Sequence, residues 1–151
     1  MRKQQIPEDV CFWVEDGKVV EHIWLRMEGG QALLGITPQG VEEMGDIVSL
    51  APKTVGLTLK PGDAFATVES SKWVGPVSIP IKGVIAQVNE PLVRNPSLIG
   101  DDPYNQWIVK ITPADDLLPS SLVSGPAGKK LYLRAAKKRR EETAGRNTPS
   151  T

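Results

Sequence analysis

The sequence has one cysteine, Cys11, which excludes an internal disulfide and any Cys-x-x-Cys redox or zinc motif and agrees with a reducing cytosol. It has one histidine, His22, and no cysteine, aspartate or second histidine spaced to join it in a metal constellation, so no metal site is expected. Long apolar runs are missing too. No window approaches the roughly 18 apolar residues of a membrane span, and the start MRKQQIPEDV places no apolar stretch behind its two basic residues. A soluble, unsecreted, cytoplasmic protein is expected. There is no glycine-rich phosphate loop, since Gly29-Gly30 reads as a hairpin turn.

Net charge is also lacking, at +0 for 151 residues, but the balance is uneven along the chain. Residues 1–128 carry ten Lys/Arg against sixteen Asp/Glu, and residues 129–151 carry eight against two. A basic tail could suggest nucleic acid. The acidic body, without a basic stripe interleaved with aromatics, would repel phosphate and argues against that partner. The expected organisation is one domain over residues 1–128, long enough to bury a core unaided, and a basic tail over 129–151.

What the sequence does contain is punctuation. Thirteen prolines and fourteen glycines separate short runs of Val, Ile, Leu and Thr, the rhythm of an all-β sandwich or barrel. Strands are expected at residues 10–14, 23–28, 32–35, 47–50, 64–69, 77–80, 83–88 and 107–111. In one of them Ile23, Leu25 and Met27 alternate with Trp24 and Arg26, so one face can be buried. Small helices fit between them: one after Thr37 as N-cap with Pro38 in the first turn, ending at Gly45, and one near 91–95 capped by Asn89. The tail predicts a third over 129–142, with Leu131, Leu133 and Ala135-Ala136 as a weak apolar stripe. Residues 144–151 read as disordered.

The strongest local feature is a polar tip, Ser70-Ser71-Lys72, between the apolar arms Ala64-Phe65-Ala66-Thr67-Val68-Glu69 and Trp73-Val74-Gly75-Pro76-Val77. Polar residues between two strands make a turn that projects into solvent. An exposed turn lysine is by itself usually only a solvated charge. Here Val68-Glu69-Ser70-Ser71-Lys72 resembles the lipoylation turn of the glycine cleavage system H-protein family. Ordered matches extend the resemblance over about residues 6–118: His22 and Trp24, Gly35-Ile36-Thr37, Gly45-Asp46-Ile47-Val48, Lys60-Pro61-Gly62, Pro80, Gly83, Val88-Asn89-Glu90-Pro91-Leu92, Asn95-Pro96, Asp102-Pro103-Tyr104 and Trp107.

The resemblance implies a barrel-sandwich hybrid of the lipoyl and biotinyl type, all-β with small peripheral helices. It implies a monomeric, non-catalytic carrier with lipoic acid amide-linked to Lys72. Glu69, Ser70, Ser71 and Trp73 would surround the arm, with Glu69 read by a lipoate ligase or lipoyl transferase. Acylation removes the lysine charge and leaves a tether whose sulfurs cycle between disulfide, dithiol and S-substituted states. Tethering keeps the group concentrated at each partner's active site.

Departures from the family pattern surround the same lysine. Trp73 stands where alanine is usual, Ser71 replaces an apolar residue, Gly75-Pro76 follows where the family is polar, and Ile23 replaces a glutamate. An extra segment, residues 16–21, precedes His22, and the basic tail follows residue 128. The indole of Trp73 is read as a surface for a partner ahead of a cover for the sheet edge. Together these features resemble the lipoate-binding proteins of the heterodisulfide-reductase-like sulfur-oxidation system. That resemblance implies a sulfur cargo and a heterodisulfide-reductase-like partner complex. The alternative is the aminomethyl group of glycine decarboxylation, with the glycine cleavage enzymes and dihydrolipoamide dehydrogenase as partners. Cys11, between Val10 and Phe12, and His22 are expected to be structural residues, with His22 under the sheet.

Overall fold

The computed structural model describes residues 5–146, excluding the side chains of Glu21 and of residues 143–146. Ten strands and four helices follow one another as β1 (Val10–Glu15), β2 (Lys18–Glu28), β3 (Gln31–Ile36), α1 (Pro38–Met44), β4 (Ile47–Pro52), β5 (Thr58–Leu59), β6 (Ala64–Ser70), β7 (Val74–Ser78), β8 (Gly83–Val88), α2 (Glu90–Arg94), α3 (Leu98–Asp101), β9 (Trp107–Pro113), β10 (Leu122–Val123) and α4 (Gly125–Arg146). A seven-stranded sheet runs β10-β1-β2-β3-β9-β8-β5, and a three-stranded sheet runs β4-β6-β7. Every strand pairing is antiparallel. The expected all-β architecture with small helices is the one observed.

The core lies between the sheets. Ile23, Leu25, Leu34 and Ile36 of the large sheet meet Leu50, Phe65, Val68 and Val77 of the small one, all buried. Removing this much apolar surface from water is the main drive for closing one sheet over the other. Cys11 belongs to the same cluster, and its burial pushes the thiol pKa up, as suits an inert small hydrophobe. The alternation expected in β2 holds on one face only. Ile23 and Leu25 are buried but Met27 is exposed, and Trp24 on the opposite face is buried as well.

Trp24 is buried because the outer face of β1-β2-β3 has its own cover. Val10, Phe12, Trp24, Leu33, Tyr104 and Tyr132 form a second cluster there, with Tyr132 contributed by α4. The Tyr132 ring stacks on Phe12 at 4.6 Å between centroids, and the Trp24 indole N–H donates to the Pro103 carbonyl at 2.9 Å. Gly35 pairs with Trp24 across β2 and β3, where a Cβ would come within 2.4 Å of the indole. That contact accounts for the Trp24 and Gly35 matches as packing.

Several boundaries differ from the sequence expectation for identifiable reasons. Residues 16–21 are the hairpin turn and first turn-side stretch of β2, with Glu15 paired to Lys18 across Asp16-Gly17, both at positive φ. Strand β7 begins at Val74 and so includes Gly75-Pro76; it is the edge of the small sheet, where proline costs no ladder bond to a further strand. Asn89 does not cap α2 with its side chain, because its amide donates to the Trp107 carbonyl at 2.8 Å. Thr37 does cap α1, accepting from the Gly40 amide at 3.1 Å.

Helix α4 starts at Gly125, earlier than the expected 129, and continues through Arg146; the rest of the stretch expected to be disordered, residues 147–151, lies outside the described residues. Its docked stripe is Gly128, Tyr132 and Ala136, at successive i+4 spacing, with Leu133 exposed. Among the described residues no helix is long and apolar enough to cross a membrane.

Candidate functional site

Lys72 sits in the three-residue connection between β6 and β7, exposed and flanked by exposed Ser71, Trp73 and Val74. The turn is closed by the Ser70 amide donating to the Trp73 carbonyl at 2.8 Å. Ser70 departs from the expectation that the whole polar tip faces water, because it is buried. Its hydroxyl donates to the Met44 carbonyl at 2.6 Å and accepts from the Trp73 amide at 3.1 Å and, more weakly, from the Lys72 amide at 3.4 Å. One side-chain oxygen therefore organises the turn from inside and ties it to the end of α1.

A second clip acts from the other side. The Ser71 amide donates to the Asp46 carbonyl at 2.9 Å, and the Ser71 hydroxyl accepts from the Asp46 amide at 3.2 Å. Between the two clips lies Gly45, at φ +80°, where a Cβ would meet the Ser71 hydroxyl at 2.5 Å and the Lys72 chain at 3.4 Å. Both backbone sign and space require glycine here. The lysine is thus held on a rigid base while its chain runs out over Gly45.

Beside the lysine is a groove of about 260 Å³ lined by His22, Glu43, Met44, Lys72, Trp73, Pro76 and Val77. The Trp73 indole folds back over Gly75, where a Cβ would come within 2.4 Å of the ring, and remains 38% exposed. It covers the edge strand with one face and offers the other to the groove and solvent. Glu69, exposed on β6, pairs with Val74 across the hairpin and lies outside the groove lining.

The opposite wall was not legible in the sequence. His22 is not under the sheet: it lies half-buried at the groove, in contact with the Glu43 carboxylate and with the Arg139 guanidinium of α4, 2.6 Å from its Nε2. Arg139 also donates to Glu43 at 2.9 Å. Burial lowers the His22 pKa, Glu43 opposes that shift and the Arg139 charge adds to it, so the ring is neutral at physiological pH. Three residues as far apart as 22 and 139 meet because α4 docks across β2. The usable signal was the spacing Tyr132, Ala136, Arg139, which places all three on one helical face.

What the arrangement can do follows from its parts. A primary amine stands clear of the core on a doubly clipped turn, open to an acylating enzyme. An apolar and aromatic groove lies alongside it, of a size to receive part of a flexible acyl chain. The residues fit a covalent arm: Lys72 would bear it, and Met44, Trp73, Pro76 and Val77 would offer it apolar contact. When bound, lipoate supplies a redox-active dithiolane; none of the groups lining the groove is placed as a nucleophile on its own.

A small lysine-bearing hairpin sheet packed on a larger curled sheet defines the lipoyl-type carrier domains of the barrel-sandwich class. Comparison with known proteins narrows this. Residues 17–133 match the family described as glycine cleavage H-protein. The glycine cleavage system H protein 5 of Aquifex aeolicus is 43% identical over 112 residues, covering 74% of this chain and 75% of the relative. The glycine cleavage system H protein of Bacteroides thetaiotaomicron is 41% identical over 110 residues, covering 72% and 87%. A crystal structure of a glycine cleavage system H protein from Mycobacterium marinum superposes with TM-score 0.68 at 28% identity, over 85% of this chain and 98% of that one. The chain belongs to the glycine cleavage H-protein family.

Proposed function

We propose that this chain is the lipoyl carrier of a glycine cleavage system, bearing lipoate on Lys72 and moving the aminomethyl unit of glycine decarboxylation between active sites. The observation that carries the reading is the doubly clipped turn: Ser70 and Ser71 fix the backbone on both sides of one exposed lysine. Similarity to relatives named glycine cleavage H proteins supports this cargo over a sulfur species. The chain's own part is to hold the amine out, orient the tether and shelter it against Trp73 and Met44; the chemistry of transfer belongs to the partners. The partners of this reading are the ligase or transferase that acylates Lys72, the glycine cleavage enzymes and dihydrolipoamide dehydrogenase.

The test is direct. Incubated with a lipoate ligase, the chain should gain the mass of one lipoyl group, and Lys72→Arg should gain none. The acylated chain should then support glycine-dependent release of carbon dioxide by a glycine decarboxylase. A second reading, a sulfur cargo handed to a heterodisulfide-reductase-like complex, is favoured by one observation. Among the described residues the one carboxylate lining the groove, Glu43, is already engaged by Arg139 and His22 and is not free to hold a cationic aminomethyl group. Full lipoylation without any glycine-dependent turnover would select that second reading.

A further inference from the structure

Two consecutive carboxylates near the end of α1 meet two consecutive arginines of α4. Glu43 accepts from the Arg139 guanidinium at 2.9 Å, and Glu42 lies 3.7 Å from Arg140. The two pairs differ in where they stand. Glu42 and Arg140 are exposed and outside the groove lining, whereas Glu43 is half-buried, lines the groove beside Lys72 and also touches His22. Arg139 reaches this place because it follows the buried Tyr132 and Ala136 along the docked face of α4.

The guanidinium changes what the groove can hold. Without it Glu43 would be a free anion on a cleft otherwise made by Met44, Trp73, Pro76 and Val77, next to a lysine that loses its charge on acylation. With it, the one carboxylate among the described lining residues is paired, and the His22 ring beside it is uncharged. A cation moved from water into such a cleft gives up hydration with no free anion to replace it, while an uncharged dithiolane on an alkyl chain only buries apolar surface. The lysine chain already runs back over the end of α1, its Cδ and Cε 3.4 Å from where a Gly45 Cβ would stand. We infer that Arg139, acting through Glu43, sets the charge selectivity of the groove: the arm folds in while it is uncharged and stands out in water once it carries a cationic aminomethyl unit. The empty arm is sheltered and the loaded arm is presented to the next enzyme. Arg139 is on this account a positioning residue, and the inference rests on the carrier reading, in which Lys72 bears lipoate.

The experiment uses the full chain lipoylated on Lys72, with the reduced arm converted to two forms of similar size. Alkylation with 2-bromoethylamine places a cationic aminoethyl group on each sulfur, and alkylation with 1-bromopropane places an uncharged propyl group; each thiol loses a proton and each reagent a bromide. The Trp73 indole N–H, identified among the four tryptophans by Trp73→Phe, reports docking through its proton–nitrogen shift relative to the unacylated chain given the same treatment. In the natural chain the propyl arm should shift this signal and the aminoethyl arm leave it near its reference position, with a docked-to-free ratio about tenfold lower for the cation. Arg139→Lys, which keeps the charge, and Arg140→Gln, which breaks the pair outside the groove, should behave in the same way. In Arg139→Gln the cationic arm should dock at least as well as the neutral one, and adding Glu43→Gln to that variant should restore the natural selectivity. Cationic and neutral arms that dock alike in the natural chain overturn the inference and leave the carrier reading standing. Equal loss of both in Arg139→Gln, whether α4 undocks or the chain unfolds, also overturns it, since Arg139 would then only hold the helix. No gain in mass from a lipoate ligase overturns the carrier reading itself, and the inference with it.

Discussion

The two walls of the arm site are built in opposite ways. The Lys72 turn is local: its order comes from Ser70 and Ser71, adjacent to the lysine, clipped to the Met44-Gly45-Asp46 corner of the small sheet. The facing wall is assembled from afar, with His22 from β2, Glu43 from α1 and Arg139 from α4. A local device survives changes elsewhere in the fold, whereas an assembled one depends on a helix staying docked. The carrier chemistry would then be a property of the small sheet, and the character of the groove a property of α4.

The sharpest way to break that division is to undock α4. Tyr132 stacks on Phe12 and its hydroxyl accepts from the Gln39 amide at 2.9 Å, so Tyr132→Ala removes a buried ring and leaves a buried donor without its partner. The expected cost is about 3–5 kcal/mol, roughly 10 °C in the melting temperature of a domain this size. Lipoylation of Lys72 at a temperature where the variant is folded should be unaffected. If acylation fails there, the turn is not the independent unit that its hydrogen bonds describe.

The converse changes strike the turn. Gly45→Ala forces a side chain into a positive-φ position and against the Ser71 hydroxyl, at a cost of about 2 kcal/mol. Ser70→Ala removes the hydroxyl that the Trp73 amide and the Met44 carbonyl share, at about 1–3 kcal/mol. Each should slow acylation of Lys72 by the ligase and increase amide exchange at residues 71–73, while amides of α4 keep their protection. Equal loosening of α4 would show that the two walls are one cooperative unit.

This contrast also explains what could be read from the sequence. The Lys72 turn, the Thr37 cap, the two-sheet β core and the burial of Cys11 follow from neighbouring residues, and each was legible. Residues 16–21 looked like an insertion, although Asp-Gly between alternating apolar residues is a strong hairpin signal. The burial of Trp24 and the placing of His22 were not legible, because both depend on α4 crossing β2, more than a hundred residues away. Leu133 was an attractive core candidate by composition, yet the docked stripe uses Tyr132 and Ala136, since the helix phase is set by the Phe12 stack and by Gly128, which nestles against the Val123 carbonyl.

The smallest effect reports most specifically on the assembled wall. His22 is the single histidine, so its ring signals in a proton–nitrogen titration need no assignment. Burial is the first cause of its lowered pKa, the Arg139 charge adds to the lowering and Glu43 works against it, with Lys72 the remaining charged group on the same groove. Because the folded value lies below the ordinary value of 6.5, the unfolded chain binds this proton more readily. Its contribution to stability is therefore intact at neutral pH and is lost as pH falls from that ordinary value through the folded one. Arg139→Gln removes one of the two lowering influences and leaves burial alone against Glu43, so the His22 midpoint should move up, and the acid loss of stability, which still begins near the ordinary value, should end at a higher pH and be smaller. Amide shifts of residues 70–73 should not follow the titration in the Arg139→Gln chain. A midpoint that stays in place would mean that α4 does not hold its guanidinium against the ring, and the groove would then have one fixed wall instead of two.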